Sequence, residues 1–287
     1  MTNCFFVSDL HGGRERYSKL FSLIEKETPV AVFLGGDLFP SGLAVRGDAK
    51  GIHGEFLQDV VASGFSELNY ALGKNYPEVF VILGNDDGHF EESGVVKLEE
   101  VGIWHYIHQK RIPWRGYSVY GYCYIPPTPF MLKDWERYDV SRFVDPGCVA
   151  PDEGWHSSNV DEVEVKRATI QSDVEKLAGK EDLLRAIFLF HTPPYETNLD
   201  RAALDGKYID HTPLDVHVGS IAVRRFIESR QPLLTLHGHV HESARITGQW
   251  KDRIGRSCMF SAAHDGPELA LVKFDLDNLN AAVRVLL

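Results

Sequence analysis

Three short apolar runs near the start of the chain each end at a glycine-containing turn that carries a carboxylate or an amide. Residues 14–27 and 55–73 fill the intervals with apolar side chains at helical spacing, so strands alternate with helices. Continuously apolar runs are typical of βαβ strands buried on both faces. Ligands bind beyond the carboxyl ends of such strands. The runs, with the polar residues that follow them, are 5–7 with Asp9 and His11, 31–34 with Asp37, and 79–83 with Asn85.

The same pattern continues into the second half of the chain. An apolar run at 186–190 ends at His191, and another at 233–236 precedes a loop with His239 and His241. Residues 125–160 are irregular and too long for an ordinary loop, which indicates a lid or an insertion within one domain over residues 1–287. We further predict helices at 161–178 and 219–229, an antiparallel strand pair from 103–108 and 118–124, and C-terminal strands at 257–262, 269–274 and 281–286.

Charge and composition narrow the range of partners. Lys and Arg number 30 against 41 Asp and Glu, a net charge of −11, which argues against a protein that binds extended nucleic acid. No apolar run approaches the length of about 18 residues that a membrane span needs, so we expect no membrane partner. Four cysteines without a CxxC motif and no visible secretory signal indicate reduced thiols and a cytoplasmic location. The oligomeric state stays open.

The polar residues at the strand ends form a set of metal-ligand types. Carboxylate, imidazole and amide groups suit borderline and hard divalent ions. Seven or eight coordination bonds are too many for one ion but suit two, if one carboxylate bridges. Two ions about 3.5–4 Å apart form a clamp for in-line attack at phosphorus. Each residue alone has an ordinary explanation, such as a helix cap or a turn, but together they end separate strands. The set is Asp9, His11, Asp37, Asn85, His191, His239 and His241.

These motifs, in this order over residues 9 to 241, resemble the calcineurin-like metallophosphoesterases. The resemblance implies an α/β fold of two mixed β-sheets packed as a sandwich and flanked by α-helices. It implies hydrolysis of a small phosphate ester by a metal-bridging hydroxide, with manganese expected and iron, zinc, nickel or magnesium as alternatives. Asp37 would bridge the two ions. The implied ligands are Asp9, His11, Asp37 and His241 for one ion, and Asn85, His191, His239 and Asp37 for the other.

Position 86 departs from the family pattern. Many members carry a proton-donating His after the motif Asn, whereas this chain carries Asp86. A carboxylate near two cations stays ionised, so it would donate protons poorly and repel a phosphate dianion. We therefore assign catalytic roles to Asp37 and Asp86 and predict a preference for phosphodiesters. The alternative is that Asp86 points away or contacts another protein group.

Four residues are candidates for substrate contact. They are Asn85 at the centre, Arg14 at a helix start, and Tyr195 and Asn198 in the run after His191; an exposed surface position is the alternative for Arg14. His237 is predicted to be a strand-end residue or a residue that supports a metal ligand. Other functions stay open: a phosphomonoesterase or protein phosphatase, a non-catalytic protein-binding scaffold, and a nuclease. The missing GxxxxGK[ST], GxSxG and HExxH motifs argue against P-loop, α/β-hydrolase and zincin chemistry.

Overall fold

Two mixed six-stranded sheets form the framework of the protein, seen in a computed structural model that describes residues 3–41 and 55–287. In the first sheet, four neighbouring strands are parallel to one another. Two further strands continue one edge, and each of them runs antiparallel to the strand before it. In spatial order its strands are β14 (Asn278–Leu286), β13 (Ala270–Asp275), β1 (Asn3–Val7), β2 (Ala31–Gly35), β3 (Glu78–Ile82) and β4 (His105–Tyr106).

The second sheet has four parallel strands in its middle and an antiparallel strand at each edge. In spatial order its strands are β11 (Lys251–Ile254), β12 (Ser257–Ser261), β10 (Leu234–His237), β7 (Ala186–Phe190), β6 (Tyr117–Tyr122) and β5 (Arg111–Trp114). A separate two-stranded ribbon pairs β8 (Tyr208–Ile209) with β9 (Thr212–Pro213).

Helices connect the parallel strands, as the alternating sequence pattern predicts. The predicted helix at 161–178 is broken into two by Ala168 and Thr169, and Thr169 caps the second piece. No helix among residues 3–41 and 55–287 combines the length and apolar character that crossing a membrane requires. The helices are α1 (Arg14–Glu27), α2 (Ser63–Leu72, continuing from a π-helical turn at Leu57–Ala62), α3 (His89–Glu100), α4 (Glu162–Arg167), α5 (Ile170–Ala178), α6 (Ile221–Arg230) and α7 (Ser243–Thr247).

Aromatic side chains join the two sheets face to face. The ring of Trp114, from the second sheet, packs edge-on against Phe33 and Phe80 of the first, with centroid distances of 6.3 and 5.7 Å. Phe260 and Phe274 make a similar contact at 5.8 Å. All five side chains are buried, so these contacts stabilise the packing of one sheet on the other. The predicted sandwich of two mixed sheets flanked by helices is confirmed.

The predicted antiparallel pairing of 103–108 with 118–124 is wrong, because in the described residues the two segments are paired only by an isolated parallel bridge between His108 and Gly121. The first segment contributes β4, which runs parallel to β3 with Phe80 opposite His105. The antiparallel partner of β6 is instead β5, joined by a two-residue turn at Arg115 and Gly116. Both turn residues have positive φ, 48° and 78°, as a type I′ hairpin requires. Alternating aromatic residues therefore predicted strands correctly but did not specify their partners.

The segment 125–160, predicted as a lid or an insertion, is held by buried polar contacts. Lys133 is fully buried, and its Nζ atom donates to the Glu136 carboxylate at 2.5 Å and to the Thr128 carbonyl at 2.9 Å. A buried charge pair of this kind needs such additional hydrogen bonds to offset desolvation. Isolated bridges tie Ile125 to Glu136 and Leu132 to Trp155. Movement of this segment as a lid stays a prediction.

Candidate metal centre

The loops after β1, β2, β7 and β10 are joined by main-chain hydrogen bonds. The Asp9 and His11 amides donate to the carbonyl oxygens of Gly36 and Asp37, each at 2.9 Å. In the second sheet, the Gly238 amide donates to the His191 carbonyl at 2.9 Å. The His239 amide then reaches the Asp9 carboxylate at 2.9 Å, which connects the two sheets. Parallel strands of both sheets therefore deliver their polar ends to one place.

Four side chains form a compact cluster there. One ligand atom from each of Asp9, His11, Asp37 and His241 lies within 4.8 Å of all the others. The His241 Nε2 atom lies 3.1 Å from both Asp9 Oδ1 and His11 Nε2, and His11 Nε2 lies 3.8 Å from Asp37 Oδ2. Two imidazole nitrogens facing each other between two carboxylates fit a divalent cation, because such ions take nitrogen and oxygen donors of these kinds.

Asp37 also faces a second set of candidate ligands. Its Oδ2 atom lies 3.2 Å from His191 Nε2, which is itself 3.2 Å from the Asn85 amide oxygen. The His239 ring lies against His191, with centroids 5.4 Å apart. The structure thus brings together all seven side chains singled out in the sequence, and Asp37 stands between the two sets. This arrangement fits the bridging role expected for Asp37.

Unusual backbone conformations accompany the cluster. Asp9, His11, Asp37 and His239 all adopt positive φ, at 56°, 44°, 52° and 73°. This region is sparsely populated by residues other than glycine, and each instance costs roughly 1–3 kcal/mol. Strain of this kind persists where the surrounding structure enforces it, which is frequent at functional sites. The spacing of apolar residues in the sequence does not predict these backbone conformations.

The electrostatics of the cluster favour bound positive charge. Burial alone would raise the pKa of the Asp9 carboxyl, but the hydrogen bond and charge of His241 lower it well below its usual range. For Asp37, burial is likewise outweighed by His191, which lowers the pKa to about 2. Both carboxylates therefore stay ionised. Burial lowers the pKa of His239 to about 3, so this imidazole is neutral and its nitrogen lone pair is available to a metal.

Asp86 contacts another protein group at the edge of the cluster. Its Oδ2 atom lies 3.1 Å from His11 Nδ1, and its Oδ1 atom accepts a hydrogen bond from the Ser41 hydroxyl at 2.6 Å. Its amide donates to Asp37 Oδ1 at 2.7 Å. Asp86 thus lies beside a candidate metal ligand, and its catalytic role stays a prediction. Sequence reasoning did not identify Ser41, because a serine after a proline carries no recognisable signal.

The next residue, Asp87, links two of the ligand-bearing loops. Its fully buried carboxylate accepts hydrogen bonds from the amides of Leu38, Phe39 and Gly84, each at 2.9 Å. These bonds fix the loop that carries Asp37 to the loop that carries Asn85. A structural role for Asp87 follows from these contacts.

The other substrate candidates contact protein groups. The Arg14 guanidinium lies over the Phe56 ring, 5.6 Å from its centroid. The Tyr195 hydroxyl donates to Asp215 at 2.6 Å and borders a cavity of about 420 Å³. The amide groups of Asn198, main chain and side chain, both donate to Asp252 at 2.9 Å. Their substrate roles stay predictions.

His237 is a buried structural residue at the end of β10. Its Nδ1 atom donates to the Thr192 carbonyl at 2.9 Å, and its Nε2 atom accepts from the Thr235 hydroxyl at 2.7 Å. Burial lowers its pKa to about 4, although the bond to Thr192 acts in the opposite direction. His237 is therefore neutral in the folded protein at neutral pH.

We expect acidification to destabilise the protein partly through His237. The unfolded chain binds a proton below the usual pKa of 6.5, whereas the folded protein does so only below about 4. Stability is therefore lost as the pH falls through this window. Between pH 7.5 and 5 the loss is about 2 kcal/mol. Urea unfolding at pH values of about 7.5 and 5 should show a smaller loss for His237→Gln than for the wild type; equal losses would contradict this assignment.

The fold and the cluster define an α/β sandwich protein with a divalent-metal site at the carboxyl ends of its strands. The model of the calcineurin-like phosphoesterase family matches residues 3–243, so the chain belongs to that family and is a metal-dependent phosphoesterase. No curated protein sequence matches it. The solved structure of TT1561 from Thermus thermophilus is similar in fold, with a TM-score of 0.56 and 18% identity over 99% of this chain and 98% of that one. Another solved structure has a TM-score of 0.60 and 16% identity over the same shares of the two chains.

Proposed function

We propose that this protein hydrolyses phosphodiesters in preference to phosphate monoesters at a pair of divalent metal ions, with manganese expected. The observation that carries the proposal is Asp86, a carboxylate 3.1 Å from His11 at the position where many family members have a proton-donating histidine. Its negative charge disfavours a monoester dianion more than a diester monoanion. A side chain without a proton to donate also favours substrates with good leaving groups.

The candidate ligands would be shared between two metal ions. Asp9, His11, Asp37 and His241 would hold one ion, and Asn85, His191, His239 and Asp37 the other. Bound divalent ions would polarise the phosphoryl oxygens and make hydroxide available near neutral pH. His191 donates its Nδ1 proton to the Gly35 carbonyl at 2.8 Å, which directs Nε2 toward Asp37 and Asn85.

The proposal also covers the domain organisation, the location and the partners of the enzyme. We infer one domain over residues 1–287, a cytoplasmic location and a small phosphate ester as substrate, without extended nucleic acid or membrane partners. The net charge of −11 and four free cysteines support this setting.

The substrate preference is tested with an aryl phosphodiester and the matching aryl monoester on manganese-loaded protein. We expect the wild type to favour the diester in kcat/KM, and Asp86→Asn to shift the ratio toward the monoester by about tenfold. The additional charge of the monoester, taken at about 6 Å from the Asp86 charge in an effective dielectric of about 40, is repelled by ~1.4 kcal/mol. This energy corresponds to about a tenfold change in kcat/KM. Asparagine removes the charge but keeps an oxygen that accepts from His11.

Two comparisons complete the test. Asp86→His restores the family residue and should raise monoester hydrolysis further. Asp161→Asn is a matched control, because Asp161 caps α4 through the Val163 and Glu164 amides and asparagine caps helices equally well. An unchanged diester-to-monoester ratio in both position-86 variants would remove the charge argument, and hydrolysis of the monoester alone would favour a phosphomonoesterase.

A further inference from the structure

Each of two imidazoles in the centre has its outward nitrogen held by a different acceptor. His191 is fully buried, and its Nδ1 atom donates to the Gly35 main-chain carbonyl at 2.8 Å. For His11, whose side chain is 27% exposed, the Nδ1 atom lies 3.1 Å from Asp86 Oδ2. In both rings the Nε2 atom faces Asp37, at 3.2 Å for His191 and 3.8 Å for His11.

We propose that Asp86 is a positioning residue for His11, fixing its ring orientation and its tautomer so that Nε2 presents a lone pair to the metal. The inference rests on the proposed metal-dependent function and names how one ligand of that site is held. Histidines that bind metals commonly donate their other ring N–H to a carboxylate or a carbonyl. Asp86 supplies this acceptor for the more exposed His11 ring, in the role that the Gly35 carbonyl has for His191.

Two further contacts hold the Asp86 carboxylate in place. The Ser41 hydroxyl donates to its Oδ1 atom at 2.6 Å, which leaves Oδ2 to face His11. The Asp86 amide donates to Asp37 Oδ1 at 2.7 Å, so main-chain geometry also anchors the residue. The side chain is 13% exposed, and both its oxygens have partners within the protein. Replacement of the side chain leaves the amide contact with Asp37 available.

The test is the affinity of the protein for Mn²⁺, measured by competition with a chromophoric chelator without any substrate. Removal of such a partner typically weakens metal binding about 10–100-fold, and we expect Asp86→Ala to weaken one of the two Mn²⁺ sites by this amount. Asp86→Asn retains an oxygen that can accept from His11 Nδ1, so its Mn²⁺ affinity should fall less than that of Asp86→Ala. Ser41→Ala removes one contact of the Asp86 carboxylate but keeps the carboxylate itself. Its Mn²⁺ affinity should lie between those of the wild type and Asp86→Ala.

Glu78→Ala provides a matched control. It breaks another carboxylate–histidine contact, 2.8 Å between Glu78 and His105, at the opposite end of β3 from the centre. We expect it to leave both Mn²⁺ affinities unchanged. Circular dichroism of each variant checks folding, and Asp86→Asn remains informative if Asp86→Ala does not fold.

The outcomes separate this inference from the proposed function. Unchanged Mn²⁺ affinity in a folded Asp86→Ala protein, or equal losses in Asp86→Ala and Asp86→Asn, would overturn the positioning role even if hydrolysis is present. A selective loss of one site in Asp86→Ala, with recovery in Asp86→Asn, would support it even if the wild type hydrolyses neither ester.

Discussion

An Asp37→Asn variant is expected to fold normally and to lose phosphodiester hydrolysis by more than about 100-fold. Loss of a partner that only orients a metal ligand already costs about 10–100-fold, and the Asp37 carboxylate faces ligands of both sets, His11 and His191. An amide carries no negative charge with which to hold two cations together. The measurement is kcat/KM for an aryl phosphodiester, together with the Mn²⁺ content per chain.

The fold should survive this change because asparagine matches the shape of aspartate. Its amide oxygen can still accept from the Asp86 amide, which now donates to Asp37 Oδ1 at 2.7 Å. Its NH₂ group takes the place of Asp37 Oδ2, which now lies 3.2 Å from His191 Nε2. The Asp161→Asn control should keep full activity. Hydrolysis at the wild-type rate in a folded Asp37→Asn protein would rule out a mechanism that depends on a bridging carboxylate.

Much of the centre was predictable because parallel strands align their carboxyl ends. The sequence pattern placed Asp9, Asp37 and Asn85 after consecutive buried strands, and the structure brings all three to the same edge. The apolar run at 186–190 also placed His191 at a strand end, and the structure brings it from the second sheet to the same edge. The prediction succeeded where a contact follows from the position of a residue relative to the end of its strand.

Contacts between loops were not predictable in the same way. The approach of Asp86 to His11 joins residues 75 positions apart, and it depends on left-handed backbone at His11 and on Ser41. Hydrophobic periodicity describes which face of an element is buried, so it contains no information about where a loop side chain points. The complete burial of Lys133 was also not predictable from the sequence, because lysine is almost never fully buried without a charged partner.

A Gly84→Ala variant is expected to lose the centre through steric conflict alone. A methyl group at this position would lie 2.5 Å from the Asp37 amide nitrogen and 2.6 Å from His191 Cε1, and it would also contact Asp37 Oδ1. None of these atoms can move cheaply. The His191 ring is held by its bond to the Gly35 carbonyl, and Asp37 Oδ1 is held by the Asp86 amide. Overpacking of this kind typically costs about 1–3 kcal/mol of stability.

The effect on function should exceed the effect on stability, because the methyl group separates Asp37 from His191. We expect a folded Gly84→Ala protein with a lower urea midpoint, one Mn²⁺ ion or none per chain, and phosphodiester hydrolysis reduced by more than about 100-fold, as for loss of a ligand. Gly102→Ala is the control: φ is +77°, and among residues 3–41 and 55–287 the added methyl group would have no atom within 4 Å apart from its chain neighbours, so it imposes backbone strain without crowding. It should lose stability but keep both ions and full activity. If Gly84→Ala retained both ions and wild-type kcat/KM, the close approach of the Asp37 and His191 loops would not be what assembles the centre.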